Sequence, residues 1–392
     1  MYHHSLNFRS AQVLLLNLLV LPTFAAASTP APSLSNAHLN GVASIATRQL
    51  VIGRPGIHRP RPIHQPGPIT SIAFSPGGGL IATASNNESA GTGTDDHSIR
   101  LWSVRTGGFI VALKGHPNPV QSLAFSPDSR LLASASTDGT IRIWNVNRRR
   151  LWMVLRASKS SLNTVAFDPT GSMLVSGGDD QAVRFWSLRP VRLRRTVQTL
   201  PSDDGHVISV LRFSPDGSRL AVGMSTIQGA REDSYNGSVE IWNAHTGRRM
   251  VTLAGFLGAL GSVAFSPDGA QLATGEYQER GRTGLEMQEN TPSGADRGVV
   301  RLWNARSGKP VATLLKHGNW YPSVAFFGRR LMAAIGQDNG QVQLWRLSGS
   351  KLSSTLGQHG SPVRSVALSP RGGTLAAGRE DGTLWIHQLV QR

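Results

Sequence analysis

Tryptophan recurs along this chain at a nearly fixed interval, and that interval narrows the possible folds more than any other feature. Trp102 to Trp144, Trp144 to Trp186 and Trp303 to Trp345 are each 42 residues, and so is Trp345 to His387, which takes the same place in its segment. Trp186 to Trp242 and Trp242 to Trp303 are 56 and 61, the same unit with loops added. Upstream of each lies a second phrase, in its fullest form apolar-Ala-Phe-Ser-Pro-Asp-Gly. It reads Ala73-Phe74-Ser75-Pro76, Ala124-Phe125-Ser126-Pro127-Asp128 and Ala166-Phe167-Asp168-Pro169. It returns as Arg212-Phe213-Ser214-Pro215-Asp216-Gly217, Ala264-Phe265-Ser266-Pro267-Asp268-Gly269, a degenerate Ala325-Phe326-Phe327-Gly328, and Ala367-Leu368-Ser369-Pro370. Self-similarity at this period marks a repeat architecture.

One unit shows why. In the second copy, residues 120–125 alternate as a strand, and Ser126-Pro127-Asp128-Ser129 is a β-turn whose proline presets φ. Residues 131–136 form the next strand, Asp138-Gly139 a hairpin turn, 140–146 a third strand carrying Trp144 near its end, and 151–155 a fourth. Four short strands cannot bury a face alone, so the units must stack against one another.

These residues resemble the WD40 family in period, strand count and the tryptophan that ends the third strand. The residue after it is Ser, Asn, Ser, Asn, Asn and Arg, never Asp, so the likeness is to prokaryote-type secreted seven-repeat members rich in the F-S-P-D-G turn. The resemblance implies an all-β fold: a seven-bladed β-propeller of four-stranded blades. The seventh unit stops near Leu389 without a fourth strand, and in the family an N-terminal segment supplies it. The repeat phase places that strand at 57–64, where Pro60 and Pro62 suit an outermost strand; 49–53 is the rival, and 57–392 is the expected propeller. The resemblance also implies a structural hydrogen-bonded set of Trp144, Ser134, Asp138 and His116 in the second unit. The third unit has Trp186, Ser176 and Asp180, with Ser158 in the His place. A Ser/His/Asp trio invites a hydrolase reading, but a catalytic serine needs an exposed elbow, and no G-x-S-x-G occurs.

The N-terminus reads differently. Arg9, an apolar run over 11–24 and Ala25-Ala26-Ala27 have the three parts of a secretory signal peptide over 1–27. The alternative is an uncleaved membrane anchor. Residues 28–56 read as a Pro/Ser/Arg-rich linker. The absence of Cys excludes disulfides and thiolate chemistry. No metal or cofactor motif occurs, so neither is expected.

The net charge of +17 favours anionic partners. It concentrates in the segments after each third strand, above all Arg148, Arg149, Arg150 and Arg189, Arg192, Arg194, Arg195. On the expected geometry these lie on one face of the disc. Three long acidic insertions, 86–96, 225–236 and 276–297, lie on the other and carry Tyr235 and Tyr277 as candidate contacts. The expectation is a secreted or periplasmic, monomeric, non-catalytic binding platform for a protein or an anionic envelope polymer. The alternatives are a lactonase-like hydrolase using the central channel and nucleic-acid binding through the basic face. Export argues against the second, as does the lack of an aromatic platform among the arginines.

Overall fold

The turn chemistry dictates the strands. In the second unit the Ser126 hydroxyl accepts the Leu131 N–H at 2.9 Å and donates to Asp128 Oδ1 at 2.6 Å, while Oδ1 accepts the Arg130 N–H at 3.0 Å. Ser214–Asp216–Arg219 and Ser266–Asp268–Gln271 repeat the arrangement. In the third unit Asp168 replaces the serine, and its own carboxylate accepts the Met173 N–H at 2.7 Å. Hydroxyls of Ser214 and Ser218 hold the Asp216 carboxyl down to about 2. Gly139 has φ +76, and a Cβ there would meet the Ser158 carbonyl oxygen at 2.3 Å. Only glycine fits that hairpin.

The computed structural model describes residues 46–50, 67–86, 96–199, 206–226, 237–254, 256, 259–278, 297–315, 323–327, 332–346, 350–357, 360–370 and 372–390. Residues 44–392 form one unit. Within it are seven antiparallel sheets of four strands, six of them running in chain order from the centre outward. Blades 1 to 6 span 69–113, 120–156, 162–198, 206–253, 259–315 and 324–356. The first strands of successive blades touch in a closed ring, the last meeting the first. This is a seven-bladed β-propeller.

Blade 7 takes three strands from the C-terminus and one from the N-terminus. Ala46–Leu50 pairs antiparallel with Leu384–Val390, from Ala46 opposite Val390 to Leu50 opposite Ile386. An N-terminal strand does close the ring, but upstream of the expected 57–64 and overlapping the rival 49–53 by two residues. The reason is chemical. ATRQL offers an N–H at every position, whereas Pro60 and Pro62 offer none. Residues 51–66 lie outside the described ones.

Blades pack face to face. Between blades 1 and 2, Ala82, Ala84, Ile99 and Leu101 meet Val120, Leu123, Phe125, Leu132 and Trp144. Small side chains on one blade receive large ones from the next, and the pattern recurs between blades 2 and 3. The inner edge of each first strand would otherwise leave N–H groups unpaired around the channel. Hydroxyls of the preceding blade accept them. Ser71 takes the Leu123 N–H at 3.1 Å, Ser122 that of Val165 at 3.3 Å, and Thr164 that of Leu211 at 3.0 Å. Ser262 takes Val324 at 3.2 Å, and Ser323 takes Val366 at 3.0 Å. Blade 4 has Val210 at this place, and there Ser225 accepts the Leu260 N–H at 3.0 Å instead.

The closing strand has a direct test. A chain starting at residue 44 should melt as the full chain does, while one starting at residue 51 should melt lower and bind a hydrophobic dye at blade 7. Equal melting of the two truncations would refute closure by Ala46–Leu50.

Candidate functional site

A buried indole N–H must find an acceptor, and this requirement organises the middle of every tryptophan-bearing blade. In blade 2, Trp144 Nε1 donates to Ser134 Oγ at 2.9 Å. Ser134 Oγ lies 2.7 Å from His116 Nε2, and His116 Nδ1 lies 2.8 Å from Asp138 Oδ2. Asp138 Oδ1 accepts the N–H and hydroxyl of Thr140 at 2.8 and 2.6 Å. Burial foremost, against the pull of Asp138, lowers the His116 pKa below its ordinary value. The neutral ring then donates from Nδ1 to Asp138 and accepts the Ser134 proton at Nε2. The polarity is that of a hydrolytic triad, but Ser134 is 0% exposed and roofed by Trp144. No substrate can reach its oxygen, and the four residues brace the blade.

The other blades solve the same problem with different residues. Trp102 donates to Thr83 Oγ1 at 2.9 Å, Trp186 to Ser176 Oγ at 3.1 Å, and Trp303 to Thr274 Oγ1 at 2.9 Å. In blade 3, Ser158 stands in the His place and donates to Asp180, which Arg184 also grips at 3.1 and 2.7 Å. Blades 4 and 6 carry Val222 and Ile335 where the hydroxyl should be. There the residue two before the tryptophan takes over. Trp242 donates to Glu240 Oε2 at 2.7 Å, and Trp345 to Gln343 Oε1 at 3.0 Å. That place holds Arg100, Arg142, Arg184 and Arg301 in blades whose hydroxyl is present. Blade 7 loses the hydroxyl to Ala377 and the tryptophan to His387.

Blade 5 adds a buried ion pair at the root of the longest insertion. Glu276, 0% exposed, accepts from Arg301 Nη1 at 2.8 Å and from the Thr274 hydroxyl at 3.1 Å. Burial outweighs Arg301 and Thr274 and pushes its pKa to about 7. Asp96, at the root of the first insertion, pairs with Arg100. These two insertion acids are therefore engaged within their blades. Tyr235 lies outside the described residues. The backbone of Tyr277 continues the second strand of blade 5, opposite Ala259 and Gly298.

The arginines are not all where the repeat phase expects them. Arg148 and Arg149 occupy the turn after the third strand of blade 2, and Arg189 that of blade 3. Arg150, however, begins the fourth strand Arg150–Arg156, and Arg192, Arg194 and Arg195 lie within the fourth strand Val191–Gln198. Fourth strands form the circumference, so this charge sits on the rim of blades 2 and 3 as well as on the face. Arg195 lies over the Phe185 ring at 5.8 Å, and the Asp128 pKa is lowered chiefly by the Ser126 hydroxyl, with Arg130 and then Arg189 adding to it. Arg148, Arg149, Arg150, Arg192 and Arg194 are exposed and form no ion pair among the described residues.

Two residues escaped sequence reasoning. Trp152 is 47% exposed on the rim of blade 2, and its signal was the unbroken apolar run 151–155. Arg212 stands where every other copy of the phrase has alanine, exposed on the innermost strand of blade 4, with its guanidinium on the Leu211 carbonyl at 2.9 Å. Among the described residues, no group of three or more His, Asp or Glu could hold a metal ion, and no helix is long and apolar enough to cross a membrane.

Comparison with known proteins agrees with this geometry. A family model described as the IFT122 first beta-propeller matches residues 91–388, and one described as WD domain, G-beta repeat matches 62–103. The chain is 40% identical over 65 residues to the Periodic tryptophan protein 2 homolog of Neurospora crassa, covering 17% of this chain and 6% of that protein. It is 40% identical over 58 residues to the Kinesin-like protein KIF21B of Homo sapiens, 15% and 4% of the two chains. With the Lissencephaly-1 homolog of Monosiga brevicollis it shares 35% over 65 residues, 17% and 14%. The match thus spans a small part of each of these longer relatives.

Two measurements check the site. Glu240→Ala should cost about 1–3 kcal/mol by stranding the Trp242 N–H, and Val222→Thr in that background should restore much of it; no rescue would contradict the exchange of acceptors. In Glu276 the folded-state pKa is raised, so the native state binds more protons than the unfolded chain between pH 4.5 and about 7. Stability should fall as pH rises through that window and level off above it. In Glu276→Gln, urea midpoints should lose that slope.

Proposed function

The chain belongs to the WD40-repeat family of β-propellers, and from that membership we propose that it is a non-catalytic protein-interaction scaffold. Its binding surface, in this reading, is the arginine-rich rim and adjoining turns of blades 2 and 3, and its partner presents acidic groups. One observation carries the reading. Arg100, Arg184, Arg249, Arg301 and Arg364 are spent on ion pairs inside their own blades, whereas Arg148, Arg149, Arg150, Arg192 and Arg194 are not. Guanidinium groups held in water without a carboxylate suit bidentate recognition of one from outside. The burial of Ser134 supports a scaffold over a hydrolase.

The setting is part of the proposal. The basic start, short apolar run and A-x-A site of residues 1–27 support export, so the partner would be a secreted or envelope protein, or an anionic envelope polymer presenting the same carboxylates.

Retention on immobilised polyglutamate should be salt-sensitive. Replacing the five free arginines by serine should weaken it about tenfold, at roughly 0.3 kcal/mol for each exposed contact. Unchanged retention would remove the basic surface from the account. Export is tested separately, by sequencing the N-terminus of the secreted chain: it should begin at Ser28, and an intact Met1 would overturn cleavage.

A further inference from the structure

All large apolar side chains exposed among the described residues lie on fourth strands, and their distribution is uneven. Phe109, Leu193, Met250, Val311 and Leu352 are one to a blade in blades 1, 3, 4, 5 and 6. Blade 2 exposes three: Leu151 at 38%, Trp152 at 47% and Val154 at 40%. Three of these single residues have a structural explanation. Phe109, Leu193 and Leu352 sit opposite Trp102, Trp186 and Trp345 and cover the rim side of the indole, Phe109 edge-on at 5.5 Å. Leu151 does the same opposite Trp144. Trp152 and Val154 exceed that requirement.

Trp152 is the extra residue of a β-bulge, between Leu151 opposite Trp144 and Met153 opposite Ile143. Bulges re-aim a side chain. The same place holds Ile110, Arg194, Met250, Val311 and Ser353 in blades 1, 3, 4, 5 and 6, so blade 2 is distinguished by the tryptophan there and by Val154 beside it. The strand reads Arg-Leu-Trp-Met-Val-Leu-Arg, five apolar residues between Arg150 and Arg156, both exposed. The rim strands of blades 3, 5 and 6 are guarded as exposed edges usually are, whereas that of blade 1, Phe109–Leu113, is apolar throughout but exposes only Phe109 and is flanked by Gly108 and Lys114. Blade 3 has Arg192, Arg194 and Arg195, blade 5 opens on Pro310, and blade 6 carries Ser353, Ser354 and Thr355. The blade 2 edge alone combines an unbroken apolar centre with an exposed tryptophan. Its outer backbone groups pair with no strand among the described residues.

We propose that the outer edge of Arg150–Arg156 is a strand-addition site, on which an extended segment of a partner protein, with acidic residues at its ends and apolar ones between, pairs as a fifth strand of blade 2. Main-chain hydrogen bonds to the edge supply affinity, and Trp152 and Val154 supply the apolar contact. Arg148, Arg149 and Arg150 at one end and Arg156 at the other select the acidic ends. The same arginines argue against a second copy of this chain, because edge-to-edge pairing would bring two basic strands together. Trp and Arg are also the residue types in which binding energy concentrates. This deepens the scaffold reading and rests on the basic surface proposed above.

The test uses the full chain and three synthetic peptides: one of Glu-Val-Glu-Leu-Val-Glu type, the same peptide N-methylated at alternate amides, and an oligoglutamate of equal charge. The first should bind tightest, slow hydrogen exchange of amides in 150–156, and lose about tenfold in affinity with Trp152→Ala, a variant whose melt checks folding. N-methylation should cost a similar factor, since it removes strand pairing and keeps charge. Equal binding of the methylated and parent peptides would overturn strand addition while leaving the basic surface standing. Failure of all three, oligoglutamate included, would bring down both. Self-association of the chain, abolished by Trp152→Ala, would give the edge to a second copy. Binding to anionic phosphatidylserine vesicles but to no peptide would give it to a lipid surface. Either result overturns the proposal.

Discussion

The tryptophan N–H is the constraint around which the blades are built. Each indole fills the middle of a blade, where its bulk drives packing and its single donor must be answered. Four blades answer from the second strand with Thr83, Ser134, Ser176 or Thr274, and two from the third strand with Glu240 or Gln343. Exchange of one solution for the other within one chain shows what is essential. The acceptor matters, and the residue that brings it does not. The His116 and Asp138 extension in blade 2 is the same device carried two bonds further.

Closure is the second constraint, and it is met at both radii. At the centre, a hydroxyl from one blade receives a first-strand N–H of the next at five of the seven junctions. At the circumference Ala46–Leu50 completes blade 7 and ties the two ends of the domain together. The outer edges of the fourth strands of blades 1 to 6 pair with no strand among the described residues. Recognition at the rim becomes a matter of which fourth strand is left unguarded.

Much of this was legible in the sequence. The 42-residue spacing and the Ser-Pro-Asp-Gly turns led to seven four-stranded blades, because burial forces any such unit to stack. His116, Ser134, Asp138 and Trp144 were found through family resemblance, and their spacing survives folding unchanged. The outer strands were harder to read. Arg192, Arg194 and Arg195 look like loop residues because a rim strand buries little of either face and so carries no alternation to betray it. The closing strand was misplaced for a related reason. Five residues paired along one edge leave a weak pattern, and the proline-rich segment before blade 1 fell where the repeat phase pointed. Glu240 and Gln343 were visible only once Val222 and Ile335 were seen to lack a hydroxyl opposite them.

Hydroxyls hold first-strand N–H groups at five blade junctions while the rim of blade 2 stays open, and native-state hydrogen exchange on the free chain reads both halves at once. The N–H groups of Leu123, Val165, Leu211, Val324 and Val366 should exchange only with global unfolding, as slowly as amides inside the sheets. The outward amides of Arg150–Arg156 should exchange orders of magnitude faster. Fast exchange at the inner edge, or protection along Arg150–Arg156 without a partner, would contradict the account.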